Sequence, residues 1–524
     1  LAVGDTTLST LNEDAVGNTG HLVSALRGAT TDADTGAVQG LAITNLSSGN
    51  GRWQYSTDGG TTWTNADAGG TVSATHALLL RDTDHIRFVP DARNATTASF
   101  DYRAWDQTGG TAGGYADTSA NGGTTAFSSQ QNAMDITVTA VNDAPLLAAA
   151  APILNPITED DTANPGQTVA SFIGSTVSDV DSGAATGIAI TATNDGNGHW
   201  QYSTDGGTTW TTVSGLDGSN GLLLADTDKI RFVPNAENTT SPTFSYRAWD
   251  RTVGTAGSLA TIGATGSTSA YSTDQNTASI AVGAVNDAPV LAVGDTTLST
   301  LTEDATGNTG HLVSALRGTT TDADAGAVQG LAITSLSSGN GHWQYSTDGG
   351  TTWTNADAGG TVSATHALLL RDTDHIRFVP DARNATTASF DYRAWDQTGG
   401  TAGGYADTSA NGGTTAFSSQ QNAMDITVTA VNDAPLLAAA APILNPITED
   451  DTANPGQTVA SFIGSTVSDV DSGAATGIAI TATNDGNGHW QYSTDGGTTW
   501  TTVSGLDGSN GLLLADTDKI RFVP

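Results

Sequence analysis

The chain has 524 residues, with 54 acidic and 17 basic side chains and a net charge of −37. This charge excludes nucleic acid and anionic membranes as partners, because both require lysine and arginine to neutralise phosphate. It has no cysteine, which excludes disulfides and thiolate metal sites. No apolar run approaches the ~20 residues that span a bilayer, and the first residues, LAVGDTTLST, do not have the pattern of a signal peptide.

Internal repetition organises the chain. The pentapeptide VNDAP stands at 141–145, 285–289 and 431–435, and residues 1–234 recur as 291–524 with six differences. A chain of this length is expected to form about three to five domains. We therefore expect four β-sandwich domains, which we name repeat A1 (1–143), repeat B1 (144–287), repeat A2 (288–433) and repeat B2 (434–524). B2 stops at the counterpart of Pro234, and we expect the sequence to be a window from a longer array.

Short strands are predicted along each repeat. In A1 these are GLAIT (40–44), HIRFVP (85–90), ASFDYRAW (98–105) and MDITVTAV (134–141). The last two alternate apolar and polar residues with period two, which is typical of a strand with one buried face. Turn sequences such as TDGG and RDTD separate the strands, and no helical stripe is visible. The pattern predicts an all-β fold of tandem β-sandwiches arranged end to end as an elongated rod.

The nonapeptide YSTDGGTTW occurs at 55–63, 202–210, 345–353 and 492–500. It fits the Asp-box pattern S-x-D-x-G-x-T-W of sialidases and other secreted β proteins, in which the box is a structural hairpin. We expect Asp58 to accept backbone N–H bonds across DGG, and Trp53 and Trp63 to add apolar area at the ends of the hairpin. The box recurs once per repeat rather than at the blade spacing of about 50 residues, and an arginine cluster is lacking. We therefore expect no enzymatic activity.

Four acidic motifs recur in the same order in the repeats. They are an N/T-E-D motif (Glu13/Asp14, Glu159/Asp160/Asp161, Glu303/Asp304, Glu449/Asp450/Asp451), a D-x-D-x-G motif (Asp32/Asp34, Asp179/Asp181, Asp322/Asp324, Asp469/Asp471), the end of YRAWD (Asp106, Asp250, Asp396) and the linker pair (Asn142/Asp143, Asn286/Asp287, Asn432/Asp433). Calcium takes six to eight oxygen ligands from such groups, whereas clustered carboxylates without a cation repel one another. The motifs predict Ca²⁺ sites. The alternative is that they only form turns, in which Asp, Asn and Gly are common.

Linkers like VNDAP and strands like YRAWDQT resemble the cadherin-like tandem domains of giant bacterial RTX-type surface proteins, over essentially the whole chain. The resemblance implies Ig/cadherin-like sandwiches that share calcium at each junction. It implies three ligand sets: Glu13, Asp106, Asn142, Asp143, Asp179 and Asp181; Glu159, Asp250, Asn286, Asp287, Asp322 and Asp324; and Glu303, Asp396, Asn432, Asp433, Asp469 and Asp471. Ala140, Ala284 and Ala430 replace the first aspartate of the cadherin linker, so we expect one or two ions per junction. The RTX nonapeptide GGxGxDxUx is absent.

These features predict a structural extender, or stalk, of a secreted or cell-surface calcium-dependent bacterial adhesin. Its partners would be the neighbouring repeats of the same chain. Two other functions stay open: the shaft of an extracellular filament that contacts other copies in a fibre, and a carbohydrate-binding module that uses Trp53, Trp63 and Trp105. The Gly-rich segment 106–127 is expected to be either a decorated loop or a contact with a neighbouring chain.

Overall fold

The computed structural model describes residues 1–236 and 239–524, which divide into two compact units, Leu1–Ala284 and Val285–Pro524. The unit boundary falls immediately before the second VNDAP motif. Unit 1 contains repeat A1 and nearly all of B1, and unit 2 contains A2 and B2. Strands dominate both units, so the prediction of an all-β fold is confirmed. Of the helices in the described residues, none has the length and hydropathy needed to cross a membrane.

Repeat A1 forms a two-layer sandwich from eleven strands. They are Thr6–Thr7 (β1), Leu11–Asn12 (β2), His21–Leu22 (β3), Gly40–Ser47 (β4), Gly51–Ser56 (β5), Thr64–Asn65 (β6), Ala77–Arg81 (β7), His85–Pro90 (β8), Thr96–Trp105 (β9), Tyr115–Ala116 (β10) and Phe127–Thr139 (β11), with one helical turn at Val23–Leu26 (α1). The large sheet has the order β1-β11-β9-β4-β7-β10, and β2 also pairs with β11. The small sheet has the order β3-β8-β5-β6.

The core of A1 lies between these two sheets. The alternating side chains of β9 bury Phe100 and Tyr102 on one face, as the period-two pattern predicts. Trp53, from the small sheet, packs edge-on against Phe100 at 4.9 Å and against Phe88 at 5.2 Å. Its indole N–H donates to Ser47 O at 3.2 Å, so that its one polar atom is satisfied inside the core.

Repeat B1 has the same two-layer arrangement. Its strands are Leu146–Leu147 (β12), Ile157–Thr158 (β13), Gln167–Thr168 (β14), Val177–Ser178 (β15), Gly187–Asn194 (β16), Gly198–Ser203 (β17), Thr211–Thr212 (β18), Asn220–Ala225 (β19), Lys229–Pro234 (β20), Thr243–Trp249 (β21), Leu259–Thr261 (β22), Asn276–Ser279 (β23) and Val282–Gly283 (β24), with helical turns at Val169–Ile173 (α2) and Gly174–Thr176. The sheet β22-β19-β16-β21-β23 faces the sheet β14-β20-β17-β18. Trp200 fills the core between them, 4.9 Å from Phe244.

Unit 2 repeats this architecture. The A2 strands are Val290–Leu291 (β25), Thr296–Thr297 (β26), Leu301–Thr302 (β27), His311–Leu312 (β28), Thr320–Thr321 (β29), Gly330–Ser337 (β30), Gly341–Ser346 (β31), Thr354–Asn355 (β32), Ala367–Arg371 (β33), His375–Pro380 (β34), Thr386–Trp395 (β35), Tyr405–Ala406 (β36) and Asn422–Thr429 (β37), with a helical turn at Val313–Leu316 (α3). The B2 strands are Leu436–Leu437 (β38), Gln457–Thr458 (β39), Val467–Ser468 (β40), Gly477–Ile480 (β41), His489–Ser493 (β42), Thr501–Thr502 (β43), Leu512–Ala515 (β44) and Lys519–Val523 (β45), with helical turns at Val459–Ile463 (α4) and Gly464–Thr466.

B2 has a smaller core than B1. Its sheet β41-β44 has two strands, and the described residues of B2 contain no counterpart of β21 or β23. Leu513 is 75% exposed, whereas its counterpart Leu223 in B1 is completely buried in a cluster with Trp249, Ala270 and Tyr271. In B1, β21 and the segment that follows it thus cover the outer face of the large sheet.

The Gly-rich segment 106–127 of A1 packs on the outer face of the large sheet. Its strand β10 extends the sheet edge beside β7, and Tyr55 donates to Gly113 O at 3.1 Å. Beneath it lies a second apolar cluster that includes Leu79, Trp105 and Phe127. The segment therefore covers the second face of its own sheet.

We predict that replacing Gly110 and Gly400 together with alanine destabilises both A repeats by about 1–3 kcal/mol. Their φ angles are +90° and +88°, and a Cβ at either position would lie 2.3 Å from the Cδ1 of buried Leu79 or Leu369. The measurement is denaturant unfolding of the full chain followed by tryptophan fluorescence.

The control for this variant is Gly123→Ser with Gly413→Ser. Both glycines also have positive φ, but neither has a heavy atom within 4 Å of the position of a Cβ. The corresponding residue of B1 is Ser267, with φ of 52°. An equal loss of stability in the two double variants would contradict close packing of the Gly-rich segment on the sheet.

Candidate metal centres

The Asp-box of A1 is a hairpin turn organised by one carboxylate. Asp58 Oδ1 accepts from the N–H of Thr61 at 3.1 Å and of Thr62 at 2.8 Å, and its Oδ2 accepts from the Thr62 hydroxyl at 2.6 Å. Ser56 Oγ accepts from Gly60 N at 2.8 Å. The predicted N–H bonds therefore come from the threonines, and the glycine N–H bonds to the serine. The guanidinium of Arg87 stacks on the Trp63 ring at 4.1 Å. The side chains of Ser56, Asp58 and Thr62 thus serve the turn.

The candidate metal centre of unit 1 begins with Glu13. The segment β2 pairs in parallel with the end of the last strand, Leu11 opposite Val138, so the next residue, Glu13, reaches the linker. Its N–H donates to Thr139 O at 3.1 Å, and its Oε1 accepts from Val141 N at 2.6 Å. Glu13 is completely buried, and its Oε2 has no hydrogen-bond partner among the described residues. A buried carboxylate oxygen without a partner requires either a proton or a cation.

Two aspartates complete this centre. The N–H of Asp143 in the linker donates to Asp181 Oδ2 at 2.9 Å, and the N–H of Asp181 donates to Asp179 Oδ1 at 2.9 Å. The ligand atoms of Glu13, Asp143 and Asp181 all lie within 4.8 Å of one another. The three segments that meet here are the start of A1, the linker and the D-x-D-x-G loop of B1.

The electrostatics of the centre favour a cation. Burial raises the pKa of Glu13 above its usual value, and the neighbouring charges of Asp181, Asp143 and Asp14 raise it further. Burial also raises the pKa of Asp143, with Asp181 and Asp14 adding to the effect. Burial also raises the pKa of Asp179; the hydrogen bond from the Asp181 N–H opposes this effect, and the charges of Asp181, Asp250 and Asp143 add to it. Hard oxygen ligands of this kind fit Ca²⁺.

Asp250 lies beside this centre, so the prediction that grouped it with the second set of ligands is corrected. Asn142 Nδ2 donates to Asp250 Oδ2 at 2.8 Å, and the charge of Asp250 acts on Asp179. Asp250 was assigned by resemblance to the second set of ligands. The same correction applies in unit 2, where Asn286 Nδ2 donates to Asp396 Oδ2 at 2.9 Å, although Asp396 was assigned to the third set.

Asp106 lies at the other end of its repeat, so the prediction that grouped it with Glu13 is wrong. Strand β9 runs antiparallel to β11, with Thr96 opposite Val138 and Trp105 opposite Phe127. The end of β9 is therefore about 30 Å from the end of β11. Asp106 lines a surface depression together with Asp32 and Asp34, the D-x-D residues of its own repeat.

Unit 2 contains a second centre with the same construction. The ligand atoms of Glu303, Asp433 and Asp471 lie within 4.8 Å of one another. Val431 N donates to Glu303 Oε1 at 2.7 Å, and Asp433 N donates to Asp471 Oδ2 at 3.0 Å. Glu303 is completely buried, and its Oε2 has no hydrogen-bond partner within the described ranges. Asp469 Oδ1 accepts from Asp471 N at 2.9 Å.

The remaining predicted ligands occupy equivalent places in their own units. In unit 1, Glu159 is buried and its N–H donates to Gly283 O at 3.0 Å. In unit 2, Asp287 N donates to Asp324 Oδ2 at 2.9 Å, and Asp324 N donates to Asp322 Oδ1 at 3.0 Å. Asn432 donates to Asp433 O at 2.9 Å.

Sequence reasoning missed the loop that holds the linker against B1. Asn142 Nδ2 also donates to Ser269 O at 3.3 Å, and Ala144 N donates to Ser267 O at 2.7 Å. Ser267 has a φ of 52°, which is uncommon for a residue other than glycine. These bonds use backbone oxygens, so no residue type in the sequence signals them.

The known proteins that this chain resembles are all similar to it in structure and not in sequence family. No family model matches the chain, and no curated protein matches it. Among solved structures, protocadherin gammaB7 EC3-6, described as a cis-dimer, is 12% identical and covers 92% of this chain and 87% of its own, with a TM-score of 0.33. Protocadherin gamma B2 extracellular cadherin domains 3-6 are 14% identical, covering 100% and 97%, with a TM-score of 0.32. Drosophila N-cadherin EC1-4 is 9% identical, covering 99% and 98%, with a TM-score of 0.23.

These similarities are low in identity and in TM-score. The description of the chain as tandem β-sandwiches therefore rests on its own strand pairing and on the separate cores of its repeats.

We predict that Asp58→Ala lowers the thermal midpoint at neutral pH and that this difference disappears in acid. The Thr62 hydroxyl, the Thr62 N–H and Ser56 lower the pKa of Asp58 to about 2 from its ordinary 3.8. A lowered pKa in the folded state contributes stability above pH 3.8, and this contribution is lost as the pH falls through about 2. Calorimetry of the wild type and the variant from pH 7 to pH 2 measures the difference. A constant difference across this range would contradict a role for the ionised carboxylate.

We predict that Glu13→Gln stabilises the chain in the absence of calcium but weakens its binding of calcium. In EGTA at neutral pH, the neutral amide removes the repulsion from Asp143 and Asp181, and stability rises by about 1 kcal/mol. In calcium, the variant loses a ligand and binds the ion more weakly. Thermal unfolding in EGTA and calorimetric calcium titration measure the two effects.

The control is Glu449→Gln, which changes the glutamate of the same motif in B2. Glu449 is exposed, so we expect little change in stability in EGTA and little change in calcium binding. Destabilisation by Glu13→Gln in EGTA would contradict the electrostatic account.

Proposed function

We propose that the chain is a non-enzymatic extender of a secreted or cell-surface calcium-dependent bacterial adhesin. Its four sandwich domains would be 1–143, 144–287, 288–433 and 434–524, with Ca²⁺ bound where consecutive domains meet. The observation that carries the proposal is the buried Glu13 carboxylate, which lies beside Asp143 and Asp181 and has one oxygen without a hydrogen-bond partner among the described residues. Because its partners come from the linker and from the following repeat, a cation there joins three segments.

Bound calcium would limit the hinge motion between the two repeats of a unit. Extracellular calcium modules have dissociation constants of roughly 0.1–1 mM. At a tenfold excess of free ion over that constant, each ion stabilises the bound geometry by about 1.4 kcal/mol. One or two ions per junction are then enough to convert a flexible string of domains into a semi-rigid rod. A rod of near-identical repeats provides length and stiffness, which an extender requires.

Two observations favour an extender over the alternatives. The Gly-rich segment packs on its own sheet, which removes the reason for assigning it to lateral contacts in a filament. Trp53 and Trp105 are 2% and 3% exposed, and Trp63 is covered on one face by Arg87, so these rings do not form an open platform for a sugar.

We predict that chelation of calcium lowers the thermal midpoint of the full chain and broadens its distribution of dimensions. Without the ion, the carboxylates of each centre repel one another and the linker regains its hinge freedom. Small-angle scattering and calorimetry in millimolar CaCl₂ and then in EGTA measure both effects. No response in either measurement would show that the acidic motifs only form turns.

The matched variants are Asp181→Asn with Asp471→Asn, and Asp34→Asn as the control. Asp34 occupies the same motif position in A1 but lies at the end of its repeat remote from Glu13. We expect the first pair to lose most of the calcium response and the control to keep it. Loss of the response in Asp34→Asn alone would contradict the assignment of the centres.

A further inference from the structure

A hydrogen bond links A1 directly to the D-x-D-x-G loop of B1, without the linker and without a carboxylate. Asn94 Oδ1 accepts from the N–H of Ser182 at 2.8 Å. Ser182 follows Asp181, a member of the unit 1 metal centre. In unit 2, Asn384 Oδ1 accepts from the N–H of Ser472 at 2.9 Å, and Ser472 follows Asp471. The bond is thus present beside the candidate metal centre of unit 1 and beside that of unit 2.

The topology explains why Asn94 reaches this loop. It stands in the turn between β8 and β9, and the first residue of β9, Thr96, lies opposite Val138 near the end of β11. The turn therefore projects from the end of A1 that carries Glu13 and the linker. Asp91 N donates to Asn50 O at 3.2 Å, and Ala92 has a φ of 56°, so the turn is bent back before it presents Asn94.

The bond fixes the main chain next to a metal ligand. The peptide between Asp181 and Ser182 is held at both ends, since its N–H donates to Asn94 and its carbonyl accepts from Ala184 N at 3.2 Å. The Asp181 side chain accepts from Asp143 N. Asp181 is thus oriented by the preceding repeat and by the linker.

A contact that positions the loop matters here because the carboxylates of the centre repel one another when no cation is bound. The charges of Asp181 and Asp143 raise the pKa of Glu13, and the charges of Asp181 and Asp143 act in the same direction on Asp179. This repulsion favours displacement of the loop. A neutral amide acceptor opposes the displacement without adding charge, so the loop stays close to its cation-bound position and less ordering is needed on binding.

We propose that Asn94 and Asn384 are positioning residues for calcium binding, which hold the loop of the following repeat through a hydrogen bond that needs no cation. The identity of the ion rests on the proposed function, whereas the bond itself does not. The prediction is that Asn94→Ala with Asn384→Ala weakens calcium binding by about threefold to tenfold without removing any ligand.

The first measurement is hydrogen exchange of the full chain in EGTA. The loops 179–184 and 469–474 have the same sequence, as do all of B1 up to Pro234 and B2, so both copies give one peptide. We expect faster exchange of this peptide in the double variant, and half of that increase in Asn94→Ala alone. Arg93→Ala with Arg383→Ala, the exposed neighbours in the same turn, is the control and should exchange like the wild type.

The second measurement is calorimetric calcium titration of the same proteins. Asn94→Asp with Asn384→Asp retains an oxygen that accepts from the serine N–H, and we expect calcium affinity at least equal to that of the wild type, because the added negative charge also attracts the cation. Unchanged exchange in the alanine variant, or unchanged calcium affinity, would overturn the proposal. If wild type binds no calcium, the proposed function fails, and with it the role assigned to the two asparagines, even where exchange shows that the bond exists.

Discussion

The burial of the Glu13 carboxylate at the end of the large sheet is the constraint on which the rest of the junction depends. Glu13 follows β2, which pairs in parallel with the last strand; it is completely buried, and one of its oxygens accepts from the linker N–H of Val141. Its carboxylate lies close to two aspartates that belong to later segments. A fold that buries a charge in this way requires a compensating group, and within the described residues the charges that act on Glu13 are all carboxylates.

The contacts inside each repeat stabilise it without a cation, whereas those between repeats include carboxylates that a cation would stabilise. Inside a repeat, aromatic cores such as Trp53 with Phe100 and turns such as the Asp-box need nothing beyond the chain itself. The polar contacts that join A1 and its linker to B1 include the bond from the Asp143 N–H to the Asp181 carboxylate and the bond from the Asn142 side chain to Asp250. The Asn94 side chain also accepts from the Ser182 N–H, and the neighbouring carboxylates repel one another. The stiffness of a junction can therefore respond to cations while the domains on either side remain folded.

Strand direction decides which acidic motifs meet. A resemblance transferred in sequence order placed Asp106 with Glu13, but β9 runs against β11 and carries Asp106 to the opposite end. Asp250, on the equivalent strand of B1, is carried for the same reason toward the linker that precedes its repeat, where Asn142 binds it. The YRAWD aspartate therefore belongs with the D-x-D motif of its own repeat, and the N/T-E-D glutamate belongs with the D-x-D motif of the next one.

The repeat lengths, the main strands and the residue types of the candidate metal centres could be predicted from the sequence, because these follow from local periodicity and from short motifs. The sequence also predicted that Asp58 organises its turn, where its partners lie within four residues. The folded structure was needed to show that Asp106 and Glu13 lie apart, that segment 106–127 covers its own sheet, and that Asn94 reaches Ser182. These outcomes depend on strand direction and on contacts between residues far apart in the chain, and neither is encoded in the spacing of a motif.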